Sequence, residues 1–266
     1  MINKHFRAFS LILLCTFTQQ IRADITHIFI DLSVLFHTNK LAAAKHVGAI
    51  ASMRYKLNRG ELPNERAFFN ALKKAKAETA IKTYNEGLDL PFILADWLLS
   101  IKSNATLKSE ILYKIQGLKI SDIEKEVYSN VIEMMLTPSK LIDTLNLDKH
   151  AFQILQALSK QYIIILTANW DIESLSILRN SYPEVFSLAS QVVVSGDIKC
   201  LKPHADFYEC LCSTYNINPS DCLSLETEQR FVAATEKIGI NVIVTKNTNK
   251  HQLQHKLQKF GIIIAA

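Results

Sequence analysis

The sequence predicts an α/β fold, a doubly wound parallel sheet with a helical cap domain inserted into it. Three short apolar runs rich in β-branched residues carry that reading: residues 26–31 (THIFID), 162–168 (YIIILTA) and 241–245 (NVIVT). Each enters a polar turn, as strands buried on both faces do. Helical patterns separate the later runs, and a long helical stretch parts the first run from the second. Strand alternating with helix builds a parallel sheet whose ligand crevice lies at the carboxyl ends of the strands.

In chain order, residues 1–23 read as a secretory signal peptide. Lys4 and Arg7 precede an apolar run over 8–17, then polar Thr18, Gln19 and Gln20 lead to a cleavage point after Ala23. That order of charge, apolar run and polar exit implies export to the periplasm or exterior, and so short a run cannot span a bilayer. Residues 24–36 and 151–266 are assigned to the core. Residues 37–150 are assigned to the cap, with helices at 65–83, 91–102 and 121–135 and no strand. Trp97 falls in the cap's own core, whereas Trp170 falls near the crevice.

In the second part of the core, weaker strands are predicted at 191–195 (QVVVS) and 222–225 (CLSL). The helix over 171–180 carries Ile172, Leu175, Ile177 and Leu178. A helix over 203–215 opens on Pro203 and stacks Phe207 on Leu211, and one over 228–238 ends at Gly239. The tail forms a helix over 249–260, and its last apolar residues add an edge strand.

Bulk composition excludes some functions. The 266-residue chain is 48% hydrophobic and carries a net charge of +5, three of those charges being Lys4, Arg7 and Arg22. The remainder is too nearly neutral to argue for a nucleic-acid partner. Cys200, Cys210, Cys212 and Cys222 remain after the signal segment. They read as buried free thiols or, alternatively, as a Cys200 bridge to one of the others.

The chemistry gathers at strand ends. Asp31 closes the first strand, where a carboxylate desolvated on one side and facing the crevice on the other suits a nucleophile. Thr167 puts a hydroxyl at the tip of the second strand. Lys202 lies in a loop before a helix, where an ammonium neutralises both a nucleophile and a transferred anion. Glu226 and Thr227 end the 222–225 strand, so that one acidic group faces Asp31 and can share a divalent ion with it.

Asp31 in FIDLSVLF, Thr167 in ILTANWD, Lys202 in SGDIKCLKP and Glu226 in CLSLETEQRFVAATEKIG follow one another in an order that resembles the haloacid dehalogenase-like hydrolases, the subgroup with a helical cap after the first strand. The resemblance is nearly continuous over 151–245. It implies hydrolysis of a small-molecule phosphate monoester, with Asp31 as nucleophile and Thr167 and Lys202 as catalytic partners. It also implies a magnesium ion held by Asp31, the Ser33 carbonyl and Glu226.

The chain departs from the family pattern at two places. Ser33 stands where the family's phosphatases carry a second aspartate, whose proton transfer is worth roughly 10²- to 10⁴-fold. Glu226-Thr227 stands where the family has Asp-Asp, and Gln229, Arg230 and His204 also differ from its usual residues. A catalytically weak binding or interaction protein is therefore the alternative to a hydrolase, and a carbon–halogen hydrolase is a third reading. The sequence does not set the oligomeric state.

Overall fold

The computed structural model describes residues 25–48, 53, 56, 92–246, 248 and 250–264. The signal segment and the expected helix over 65–83 lie outside the described residues. Five parallel strands form the main sheet: β1 (His27–Asp31), β4 (Ile163–Ala168), β5 (Gln191–Val194), β6 (Cys222–Glu226) and β7 (Asn241–Val244), in the order β5-β4-β1-β6-β7. The chain winds outward through β4 and β5 on one side of β1, then returns to place β6 and β7 on the other. The ends of β1, β4 and β6 therefore flank the point where the winding reverses, which is where such sheets bind ligands.

The pleat sends successive side chains of β1 to opposite layers. Ile28 and Ile30 join Leu155, Leu178, Leu253 and Leu257 from the helices Lys149–Leu158, Ile172–Ser181 and Lys250–Gln258. Phe29 joins Phe207, Tyr208 and Leu211 from the helix Ala205–Thr214 on the opposite face. Leu178, Phe29, Phe207 and Tyr208 are fully buried, so both sheet faces are sealed and only the strand ends are open to chemistry.

The insert has a core of its own. Trp97, Ile111, Ile115 and Ile132 pack together across the helices Phe92–Leu98, Asn104–Gln116 and Asp122–Met135. Ser121 starts the last of these with a reciprocal cap, its hydroxyl receiving the Glu124 amide while the Glu124 carboxylate receives the Ser121 amide. Polar contacts strap this unit to the core. Lys199, in a left-handed conformation at φ 57°, donates to the Leu99 carbonyl at 2.7 Å. Asn104 donates to Asp171 at 3.0 Å. A Cβ on Gly196 would sit 2.9 Å from the backbone carbonyl oxygen of Trp170, so the close approach at that point requires glycine.

Four local expectations are corrected. The insert is bounded by a two-stranded antiparallel ribbon, β2 (Phe36–Thr38) with β3 (Leu145–Leu147), where no strand was expected. Three-residue strands are too short to show alternation. Pro203 does not open the following helix, which runs Ala205–Thr214 behind a cis Lys202–Pro203 bond. The helix expected over 228–238 is a 3₁₀ turn, Gln229–Phe231, followed by Val232–Lys237. The described tail, through Ile264, adds no strand, and Ile262 instead packs into the core. None of the four described cysteines forms a disulfide, and the Cys222 thiol donates to the Asn218 carbonyl at 3.3 Å.

Candidate active site

Asp31 and Thr167 are register partners at the carboxyl ends of β1 and β4. The turn after β1 is a single short helix, Leu32–Leu35, and the Asp31 carboxylate caps it by accepting the Ser33 amide at 2.7 Å. The same oxygen, Oδ1, accepts the Ser33 hydroxyl. Oδ2 accepts the Lys202 ammonium. Asp31 is thus oriented from both sides at a position only 5% exposed.

Lys202 has no exposed surface. Its loop is clamped by Asn169, whose side chain accepts the Lys202 amide and donates to the Lys202 carbonyl, both at 2.8 Å. The ammonium lies 2.9 Å from Glu226 Oε2, 3.5 Å from the Thr167 hydroxyl and 4.9 Å from the centre of the Phe231 ring. Burial alone would lower its pKa. The charges of Asp31 and Glu226 outweigh that effect and hold the ammonium well above the ordinary lysine value.

Glu226 is placed differently from the expectation of a metal ligand facing the crevice. It is fully buried, and Oε1 accepts the hydroxyls of Tyr208 at 2.8 Å and Ser224 at 2.9 Å while Oε2 receives Lys202. Asp31 and Glu226 share an ammonium. The cause is the pleat: Leu223 and Leu225 face one layer, so Ser224 and Glu226 face the other, toward Tyr208. Burial and the nearby Asp31 charge raise the Glu226 carboxyl against the lowering effect of Lys202.

Beside Asp31 the space holds hydroxyls. Ser33 Oγ and Thr227 Oγ1 lie 2.7 Å apart. Among the described residues no group of three or more His, Cys, Asp or Glu is placed to hold a metal ion. Ser33 and Thr227 line a cleft of about 910 Å³ together with His37, Asp148, Arg230 and Lys246, and Ser33 links that cleft to Asp31 through its hydrogen bonds. Trp170 packs against the sheet core, with its indole nitrogen buried.

The structure therefore brings together Asp31, Ser33, Thr167, Lys202 and Glu226. Sequence reasoning missed Asn169 and Ser224 as positioning residues, and it missed the His37–Asp148 pair. Alternation along CLSLE contained the signal for Ser224; nothing local signalled the other two contacts.

No family model matches the chain, and no curated protein matches it in sequence. Solved structures do match. A haloacid dehalogenase (HAD) family enzyme from Bacteroides thetaiotaomicron shares 14% identity, covers 85% of this chain and 95% of its own, and superimposes with a TM-score of 0.56. The wild-type form of that enzyme, solved as a complex with magnesium and inorganic phosphate, gives 14% identity, coverage of 85% and 96%, and a TM-score of 0.56. A predicted HAD-like family hydrolase from Porphyromonas gingivalis gives 17% identity, coverage of 89% and 98%, and a TM-score of 0.57. The chain has the haloacid dehalogenase-like fold: a mostly parallel sheet flanked by helices, with a helical unit inserted after the first strand. Among the described residues no helix is long and apolar enough to cross a membrane.

Proposed function

We propose that this protein is a phosphate monoester hydrolase that uses Asp31 as its nucleophile. The observation that carries this reading is the fully buried Lys202 ammonium, held between Asp31 and Glu226 at the carboxyl end of the central strand. A buried cation beside a strand-tip carboxylate lets an anionic phosphoryl group approach a carboxylate that would otherwise repel it. Asp31 attacks phosphorus, the bond to the leaving oxygen breaks, and water then hydrolyses the aspartyl phosphate. Lys202 neutralises charge on the phosphoryl oxygens, the Thr167 hydroxyl donates to one of them, and Glu226 keeps the ammonium in place.

Magnesium fits this donor set only as an ion completed by substrate. Glu226 is fully buried whereas Asp31 keeps 5% of its surface exposed, so the Asp31 carboxylate and the Ser33 carbonyl would be the protein ligands. Magnesium bound by one or two carboxylates takes its remaining ligands from phosphate and water. Bound there it would supply further neutralisation of the phosphoryl oxygens, as the magnesium–phosphate complex of the Bacteroides thetaiotaomicron enzyme suggests.

A second reading, a phosphate-binding or interaction protein with little turnover, is favoured by the hydroxyl pair Ser33–Thr227, which adds no charge to the site. Asp31→Asn separates the two. Under the hydrolase reading it reduces turnover of an aryl phosphate to background and removes the phosphoryl adduct that mass spectrometry finds on Asp31 in acid-quenched wild type. Turnover that survives in the variant, or no metal-dependent turnover in wild type, rejects the hydrolase.

A further inference from the structure

We propose that His37 is the proton carrier of this hydrolysis, supplying from the ribbon the acid–base function that Ser33 lacks. The inference rests on the hydrolase reading and adds a residue to it. His37 Nε2 lies 2.7 Å from Asp148 Oδ2, across 111 residues of sequence. The carboxylate is itself fixed, because Oδ1 caps the helix Lys149–Leu158 by accepting the amides of His150 at 2.8 Å and Ala151 at 2.9 Å. An oriented carboxylate selects the imidazole tautomer that donates from Nε2 and leaves Nδ1 to exchange a proton. Nδ1 has no partner among the described residues, and the His37 side chain is 54% exposed. His37 and Asp148 line the same cleft as Ser33, which is hydrogen-bonded to Asp31, and Thr227.

The other ionisable groups of that cleft suit the task less well. Arg230 does not titrate in the working range and is paired with Glu228 at 2.7 Å. Lys246 is exposed. His150 is held to Asp148 through its backbone amide rather than its ring. Opposite His37 on β3 stands Asn146, which carries no charge. Asp148 remains ionised throughout: burial raises its carboxyl, but the bonds from Ala151, His37 and His150 outweigh burial and hold it below the ordinary carboxylate range.

The proton balance closes. As Asp31 attacks phosphorus, the imidazolium of His37 gives its proton to the departing alkoxide, which leaves as the alcohol. The neutral imidazole then takes a proton from the water that attacks the aspartyl phosphate. Inorganic phosphate leaves, Asp31 returns to its carboxylate, and His37 is again protonated.

The test compares His37→Gln with wild type on an alkyl and an aryl phosphate, with pH–rate profiles. An aryl group leaves as a stable anion and needs no proton, whereas an alkoxide does. His37→Gln should slow the alkyl phosphate by roughly 10²- to 10⁴-fold and the aryl phosphate by less than about tenfold. The imidazole limb of the profile should vanish. Asp148→Asn keeps the helix cap but removes the carboxylate that orients the ring, and should slow the alkyl phosphate more than the aryl phosphate; this reading holds even where His37→Gln folds poorly. A histidine that merely pins the ribbon would lower both rates together and leave the limb in place, and that result overturns the proposal. Turnover persisting in Asp31→Asn would instead remove the hydrolase reading itself.

Discussion

Replacing Glu226 with glutamine tests the arrangement at the centre of the site. Glu226 and Lys202 are both fully buried, and their closest contact is 2.9 Å. Glutamine keeps the shape and an oxygen for Tyr208 and Ser224, but it takes away one of the two charges on the ammonium and turns an NH₂ group toward donors. Breaking a buried ion pair from one side costs about 3–5 kcal/mol. Lys202 retains Asp31, and burial already makes the ionised Glu226 costly, so the lower figure of about 3 kcal/mol is expected here. For a chain of this size that corresponds to a fall in Tm of about 6–12 °C. Thermal unfolding followed by circular dichroism measures it, and calorimetry with magnesium and phosphate measures the ion. Magnesium affinity should change less than about twofold, since Glu226 has no oxygen open to the crevice. A Tm lowered by less than about 2 °C, together with a tenfold loss of magnesium affinity, would refute the reasoning and make Glu226 a ligand.

Two further outcomes follow from the same geometry. Thr227→Asp places a carboxylate beside Ser33, whose hydroxyl Thr227 now meets at 2.7 Å; titration should show magnesium binding at least about tenfold tighter, or about 1.4 kcal/mol. The alkaline limb of stability follows from Lys202, whose folded pKa lies above its ordinary 10.5 because Asp31 and Glu226 outweigh burial. A raised lysine contributes stability that is fully present below pH 10.5 and lost as pH rises through the folded value. Urea unfolding between pH 9 and 12 should therefore show the unfolding free energy falling above pH 10.5, with a shallower fall in Lys202→Met.

Local pattern alone determined the sheet and its chemistry-bearing tips. Runs such as IFI and IIIL can be buried on both faces only as central parallel strands, so Asp31 and Thr167 had to emerge at their ends, and both do. The same logic recovers the cap helix that begins at Ser121, though not the one that Ser103 caps. It failed where an element is too short to show alternation, as in β2 and β3, and where Pro203 reads as a helix start although the helix begins two residues later.

Only the tertiary structure decided what each tip residue faces. A carboxylate at position 226 suits a metal or an ammonium equally well in sequence. The pleat of β6 turned it toward Tyr208 and the interior, and burial there favours a paired cation. The meeting of His37 with Asp148 was equally invisible, because they lie 111 positions apart and the pairing of β2 with β3 closes that loop. Propensity and periodicity act within a few residues, whereas such contacts depend on how the whole chain packs.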